Sequence, residues 1–212
     1  MPGNALLAFE PRKMPIQARS AVTVEAISEA TIQVLLSHGA ERLTTTRVAQ
    51  RAGVSVGTLY QYYPNKQSLL FAVLEQHMNR VAARVEAACE RARHKPLAEM
   101  IEEMVEAFVD AKMERADISV ALYRVSADAG GPTLIKRASQ RLRKAVEAML
   151  GTEPDTKAGC DKFAIDIMLS AMAGVMRTLL EAGPSLASVR KAREQLVLLC
   201  QSYMAANTAK RV

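Results

Sequence analysis

Residues 44–70, TTTRVAQRAGVSVGTLYQYYPNKQSLL, decide the fold of the first third of this chain. Apolar residues recur at helical spacing on both sides of Gly53, and Thr44 and Ser55 are suited to cap helices at their amino termini. Gly53 permits a tight bend, and Pro64 must end the second helix because proline cannot continue the hydrogen-bond ladder. The stretch therefore predicts a helix-turn-helix followed by a longer helix.

The rest of the chain shows the same helical periodicity, and no stretch has the apolar and polar alternation of a strand. Its breaks are marked by glycine and proline at residues 130–132, 151–154 and 183–185. The pattern predicts an all-α fold of about nine helices. We place them near residues 21–37, 45–51, 56–63, 66–93, 97–115, 117–128, 133–150, 156–182 and 186–206.

The composition excludes several classes of protein. The 212 residues are 50% hydrophobic and 24% charged, which suits one or two domains with a sizeable core and excludes a disordered chain. No window approaches the roughly 18 unbroken apolar residues of a membrane span, and the amino terminus does not resemble a secretory signal. The 3 scattered cysteines suit a reducing compartment. We therefore expect a soluble, cytoplasmic protein with no membrane partner.

The second short helix has an unusual outer side. Leu59 is placed to pack it against the first helix, and we expect Tyr63 in the core. A face meant only for solvent normally carries Lys and Glu, whereas a helix in the major groove of DNA needs small residues for close approach and polar tips for phosphates and base edges. The outer side provides both in Val56, Gly57, Thr58, Tyr60, Gln61 and Tyr62.

Two cations lie at helix starts, where the helix dipole mildly disfavours positive charge. Arg47 is in the first turn of the first short helix, and Lys66 begins the long helix. Both positions make sense if a phosphate is shared between the cation and the free backbone N–H groups. The alternative is that both are ordinary solvated charges. Residues 1–66 carry seven basic and four acidic side chains, which favours a phosphate-facing surface in this part of the chain.

The ordered run Ala52-Gly53-Val54-Ser55-x-Gly57-Thr58-Leu59-Tyr60-x-Tyr62-Tyr63-x-Asn65-Lys66-x-x-Leu69 resembles the DNA-binding signature of the TetR, or tetracycline-repressor-like, transcriptional regulators. Leu43-Thr44-Thr45 ahead of it fits as well, and the resemblance covers about residues 21–75. It implies an all-helical homodimer with three parts. These are a flexible basic arm over 1–18, a helix-turn-helix DNA-binding domain over 19–66, and an effector-binding and dimerisation domain over 67–212.

The resemblance also implies contacts with DNA, residue by residue. The phosphate contacts would be Thr45, Arg47, Ser55, Thr58, Tyr60 and Lys66. The residues near base edges would be Thr46, Val56, Gly57, Gln61 and Tyr62. The basic residues ahead of the first predicted helix, Arg12, Lys13 and Arg19, would act as an arm toward the minor groove. Tyr63 stands where phenylalanine is more usual, and Thr46 stands where some relatives have arginine, so Thr46 should read bases less strongly.

The larger helical part suggests an effector cavity and a dimer face. The chain has 11 methionines and no tryptophan, and thioether side chains repack around ligands of varied shape. We predict a cavity for an apolar small-molecule effector, lined by Met104, Phe108, Tyr123, Met168, Met172 and Met176. The alternative is that these methionines fill gaps in an ordinary core. The resemblance places the dimer interface on the last two helices, where the apolar stripes include Phe163, Ile167, Ala171, Leu196, Leu199 and Tyr203.

Catalysis and metal binding are weakly indicated. Residues 53–57 match the G-x-S-x-G nucleophile elbow, but that motif follows a strand and here a helix precedes it. The histidines lie on different segments without a spaced acidic or cysteine partner, so we expect no catalytic triad, metal or cofactor. The leading interpretation is a ligand-responsive repressor that binds a palindromic double-stranded DNA operator. The alternatives are an all-helical carrier of apolar molecules without DNA binding and an esterase using Ser55.

Overall fold

The computed structural model of the chain describes residues 18–125, 130–153 and 161–209. Within these ranges every regular element is an α-helix and no strand occurs, which confirms the all-α prediction. The described helices are α1 (Ala18–His38), α2 (Thr45–Ala52), α3 (Val56–Tyr62), α4 (Lys66–Arg91), α5 (Leu97–Glu114), α6 (Ala116–Val125), α7 (Gly131–Leu150), α8 (Lys162–Glu181) and α9 (Leu186–Ala209).

Most helix ends lie close to the predicted positions, and the differences have local causes. α7 begins at Gly131, two residues earlier than predicted, because the proline that follows is tolerated in a first helical turn. α8 begins at Lys162, where the Asp161 carboxylate accepts a hydrogen bond from the N–H of Phe163 at 3.0 Å. The predicted start of that helix at residue 156 and the predicted end of α6 at residue 128 lie outside the described residues.

The described residues form two compact units. The first contains residues 18–77, 117–125 and 130–134, and the second contains residues 78–116, 135–153 and 161–209. The helix α4 contributes its first half to one unit and its second half to the other.

The first unit is built on the packing of α1 against α2 and of α2 against α3. Ile27, Val48 and Leu59 are fully buried where these helices meet. A buried polar contact links α4 to α6 within this unit, because the Ser119 hydroxyl lies 3.0 Å from Nε2 of His77. The helix-turn-helix therefore has its own apolar core, and Val48 and Leu59 belong to it as the sequence predicts.

The second unit is centred on α5, which packs against α9 and α8. Met100 and Val105 on α5 are fully buried. At the periphery, Arg143 of α7 donates to Asp166 of α8 at 2.8 Å, and a bond from Arg84 to Glu114 joins α4 to α5. The helices of this unit are thus also joined by exposed or half-buried ion pairs, each worth little by itself.

The helix α8 is, among the described helices, the one long and apolar enough to cross a membrane by length and composition alone. This is a weak indication, because helices that pack in soluble cores meet the same criterion. Met172 and Met176 on one side of α8 are buried, whereas Phe163 is 70% exposed. The helix therefore has a buried apolar side and an exposed apolar side.

Candidate nucleic-acid interface

The turn between α2 and α3 has the geometry that its sequence predicts. Gly53 adopts φ 68° and ψ 27°, a left-handed conformation that glycine tolerates best. The Thr44 hydroxyl accepts a hydrogen bond from the N–H of Arg47 at 3.3 Å, and the Ser55 hydroxyl accepts one from the N–H of Thr58 at 2.9 Å. Both predicted caps are therefore confirmed, and they determine where each short helix begins.

One edge of α3 is exposed. Leu59 is fully buried, and at about 100° per residue Gly57 and Gln61 lie on the opposite side of the helix. Both of these residues are exposed, and we call the pair the reading edge. The flanking residues are Val56 and Tyr60 on one side and Thr58 and Tyr62 on the other. The helix contains no charged residue, so its outer side offers amide, hydroxyl, aliphatic and aromatic groups.

The three tyrosines near the end of α3 have different surroundings. Tyr60 is 43% exposed, and its hydroxyl lies 3.1 Å from the hydroxyl of Thr45 at the start of α2. Tyr62 is half-buried. Tyr63 is buried, and this burial raises the pKa of its phenol to about 12, with a smaller contribution from Glu25. The prediction that Tyr63 belongs to the core is confirmed.

The two cations at helix starts are each bound to the backbone of their own chain. Nη1 of Arg47 donates to the carbonyl of Arg42 at 2.6 Å, and Nζ of Lys66 donates to the carbonyl of Ala40. Sequence reasoning missed both bonds because a carbonyl acceptor leaves no side-chain signal. A guanidinium has five donors and an ammonium three, so each group keeps donors for an external anion. Their phosphate contacts remain a prediction.

The first turn of α4 is fixed by a local cap. The Asn65 side-chain oxygen accepts the N–H of Ser68 at 2.8 Å, and the Ser68 hydroxyl donates to the Asn65 carbonyl at 2.7 Å. This arrangement confirms Asn65 as the predicted cap and places Lys66 as the first residue of the helix. Lys66 therefore lies beside backbone N–H groups that have no partner within the helix.

The remaining predicted DNA contacts lie on α1 and α2 or outside the described residues. Thr46 is exposed in the first turn of α2. Arg12 and Lys13 lie outside the described residues. Arg19 belongs to α1, which begins at Ala18 instead of the predicted residue 21, so this residue lies within the helix and not ahead of it.

Five of the six residues predicted to line an effector cavity are core residues of the second unit. Their exposed fractions are 0% for Met104 and Met176, 1% for Met172, 2% for Met168 and 5% for Phe108. Tyr123 lies in the first unit and is half-buried. The effector cavity therefore stays a prediction, with the methionines placed where thioethers normally fill a core.

Two cavities of the second unit are lined by residues other than those predicted for the effector cavity. One, of about 320 Å³, lies between α4 and α7 and is lined by Glu86, Cys89 and Arg141 among others. The other, of about 260 Å³, lies between α7 and α8 and is lined by Lys136 and Asp166 among others. None of the six predicted cavity residues lines either of them.

A lysine that sequence reasoning missed lies beside these core residues. Lys112 follows Phe108 by one turn on α5, and its ammonium is 5.9 Å from the centre of the Phe108 ring. Burial lowers the pKa of Lys112 to about 8 because the charged form is poorly solvated there. In sequence, one lysine near the end of an amphipathic helix is typical of an exposed residue, so no signal distinguished it.

The predicted dimer face is only partly exposed in the single chain. Phe163 is 70% exposed, Ile167 41% and Leu199 48%, whereas Leu196 is 1% exposed. Leu196 therefore packs inside its own unit and adds no surface to a dimer. Ala171 and Tyr203 are half-buried. Sequence reasoning missed Leu198, which is 58% exposed, because it lies off the predicted dimer stripe that contains Leu196, Leu199 and Tyr203.

Neither metal binding nor thiol chemistry is indicated in the described ranges. No group of three His, Cys, Asp or Glu residues there is arranged to hold a metal ion. Burial raises the pKa of Cys89 to about 12 and that of Cys200 to about 11, so both thiols are protonated and inert at neutral pH. Cys160 lies outside the described residues. The Ser55 hydroxyl, the candidate nucleophile of the esterase alternative, is the cap of α3.

Two family models match this chain. The model described as "Bacterial regulatory proteins, tetR family" matches residues 27–73, which include α2, the turn and α3. The model described as "Tetracyclin repressor-like, C-terminal domain" matches residues 96–204, about half of the chain. The matches cover the helix-turn-helix and most of the second unit.

Curated relatives match over a short segment. The HTH-type transcriptional repressor KstR of Mycolicibacterium smegmatis is 39% identical over 62 residues, which cover 29% of this chain and 30% of that protein. The fatty acid metabolism regulator protein of Bacillus subtilis is 30% identical over 60 residues, covering 28% of this chain and 31% of that protein. The chain thus matches less than a third of the length of these relatives.

Solved structures share the fold at low sequence identity. A TetR-family regulator from Mesorhizobium loti has a TM-score of 0.72 at 16% identity, with 90% of this chain and 98% of that chain covered. The fatty acid degradation regulator FadR of Bacillus halodurans has a TM-score of 0.63 at 17% identity, with 82% and 94% covered. These likenesses extend the shared fold well beyond the helix-turn-helix.

Proposed function

Because the chain belongs to the TetR family of bacterial regulatory proteins, we propose that it is a cytoplasmic, DNA-binding transcriptional repressor released from its operator by a small-molecule effector. The observation that carries this proposal is the outer side of α3. It is exposed, free of charge and rich in groups that contact base edges, and it is flanked by the cations Arg47 and Lys66. Such a surface suits a major groove with phosphates on either side.

In the proposed complex, the reading edge and its neighbours face base pairs. Thr46, Val56 and Tyr62 accompany Gly57 and Gln61 in this role. The polar groups at the rim contact phosphates, namely Thr45, Arg47, Ser55, Thr58, Tyr60 and Lys66. The hydrogen bond between Thr45 and Tyr60 supports this assignment, because it directs two hydroxyl groups to the same place on the rim.

We propose that two copies associate through the exposed apolar sides of α8 and α9. Phe163, Ile167, Leu198 and Leu199 leave a large apolar area in water in the single chain, and such areas typically mark protein contacts. A two-fold dimer presents two copies of α3 to one duplex. The operator is then a palindrome with half-sites about one helical turn, roughly 34 Å, apart.

The effector is proposed to be an apolar small molecule. The methionine-rich core of the second unit supports this proposal, because thioether side chains repack around apolar ligands of varied shape. The names of two compared proteins, regulators of fatty acid metabolism and degradation, fit this chemistry. Effector binding lowers DNA affinity only to the extent that it is tighter in the DNA-free state.

Capture of genomic fragments by the purified full-length protein tests the proposal, followed by gel-shift titrations on a captured fragment. Lys66→Ala should weaken binding to all sequences and reduce the salt slope by about 1, because one phosphate contact is lost. Gln61→Ala should mainly reduce discrimination between captured and random DNA. Binding of small apolar molecules without any DNA retention at low salt would favour the carrier alternative and refute the proposal.

A further inference from the structure

We propose that the half-site contacted by α3 places an adenine under Gln61 and a thymine under Val56, so that this helix reads A·T pairs. The assignment rests on the proposed function and adds the base composition of the site. It follows from matching the chemical groups on the outer side of α3 to the hydrogen-bonding pattern of each base.

Guanine and cytosine find none of their usual charged partners on α3. Guanine presents two acceptors in the major groove and is read most often by arginine or lysine, and cytosine presents a donor that aspartate or glutamate accepts. The sequence of α3, VGTLYQY, contains none of these four residue types. The helix therefore lacks the side chains that discriminate strongly for G·C pairs.

The cations next to α3 do not replace the missing groups. The guanidinium of Arg47 donates to the Arg42 carbonyl at 2.6 Å, and the ammonium of Lys66 donates to the Ala40 carbonyl. These bonds tether each cation to the backbone of its own unit, which limits its reach toward a base edge. Both cations are better placed to meet phosphates at the rim of the groove.

Adenine matches the one amide on the reading edge. The Gln61 side chain has a donor and an acceptor side by side, and adenine presents an acceptor and a donor in the major groove. Within the described part of the chain no hydrogen bond occupies the Gln61 amide, so it is available for a base. Gly57, one turn earlier on the same edge, has no side chain, which allows the backbone to approach the base pairs.

Thymine matches Val56, the aliphatic side chain among the exposed residues of α3. Val56 is 37% exposed although it is apolar, and it lies at the start of the helix beside the reading edge. Thymine is the base that presents a methyl group in the major groove. Contact between the two methyl surfaces removes both from water, which favours thymine over cytosine.

Base substitutions in a captured operator fragment test the assignment. With the full-length wild-type protein, changing the A·T pair under Gln61 to G·C should lower affinity by roughly five- to 150-fold, the range for one bidentate contact. In Gln61→Ala the same base change should cost less than about twofold. Replacing thymine by deoxyuridine removes one methyl group and should cost about fourfold in the wild type and clearly less in Val56→Ala, whose shorter side chain covers less of that methyl group.

Gln140→Ala provides a matched control, because Gln140 is an exposed helical glutamine in the other unit and should leave every affinity unchanged. Gln61→Arg should move the preferred pair to G·C. Captured sites with G·C pairs under α3, or an unchanged affinity after the deoxyuridine substitution, would overturn the assignment while the proposed function stands. Failure to retain any DNA at low salt would instead refute the proposed function.

Discussion

Replacing Gly57 by alanine should raise the stability of the protein while weakening its binding to DNA. Gly57 lies on the exposed edge of α3, and a Cβ added there meets only the Ser55 hydroxyl oxygen, at 3.7 Å, an ordinary contact. The folded chain therefore has room for the methyl group. In the DNA complex the same methyl group would enter the space between the helix and the base pairs.

The two effects have opposite signs and comparable sizes. Glycine in a helix is about 0.8–1 kcal/mol less favourable than alanine, so the free energy of unfolding should increase by up to about 1 kcal/mol. Forcing one methyl group into a packed contact costs typically 1–3 kcal/mol, which corresponds to roughly five- to 150-fold weaker DNA binding.

Urea unfolding and gel-shift titration of the same preparations measure both quantities. Ser139→Ala on α7 serves as a control, because it raises helix propensity at an exposed position of the other unit and should leave DNA affinity unchanged. Gly53→Ala, the same substitution at a glycine with positive φ, should change stability in the opposite direction. Gly53 has φ 68°, so alanine there should lower stability by about 1–2 kcal/mol.

A Gly57→Ala protein with unchanged affinity would refute the proposed close approach of α3 to base pairs. A loss of stability in that variant would refute the reading of Gly57 as an unconstrained helical residue. A general structural defect cannot produce the expected pair of results, since it lowers stability and affinity together.

Three further outcomes follow from the second unit. Phe163→Asp should raise the dimer dissociation constant by at least about tenfold in sedimentation, because an aromatic ring that is 70% exposed in the single chain would be buried in the dimer. Lys112→Met should stabilise the protein at pH 7 by up to about 3 kcal/mol. Because the folded pKa of about 8 lies below the ordinary 10.5, the stability advantage of the variant over the wild type should shrink as the pH rises between these values, which urea titrations of both proteins would measure. His94→Gly should raise the melting temperature, with a gain of up to about 1 kcal/mol, because His94 has φ 63°.

Local chemistry in the sequence determined the helix-turn-helix. Thr44, Ser55 and Asn65 cap helices through atoms within three residues, and Gly53 and Pro64 act on their own backbone or that of their neighbours. Interactions of such short range are visible in the order of residues. The outward direction of the reading edge follows in the same way, because the buried position of Leu59 sets the rotation of α3.

Only the tertiary structure decided which apolar residues are free for contacts between chains. Leu196 and Leu199 lie three residues apart on one predicted stripe, yet the first is buried and the second is 48% exposed. Periodicity gives the angle of a side chain around its helix axis, but the neighbours α5 and α8 determine which part of that circle is covered. The carbonyl partner of Lys66, which lies 26 residues earlier in the chain, and the partial desolvation of Lys112 depend on tertiary packing for the same reason, since acceptors and neighbours distant in sequence carry no local signal.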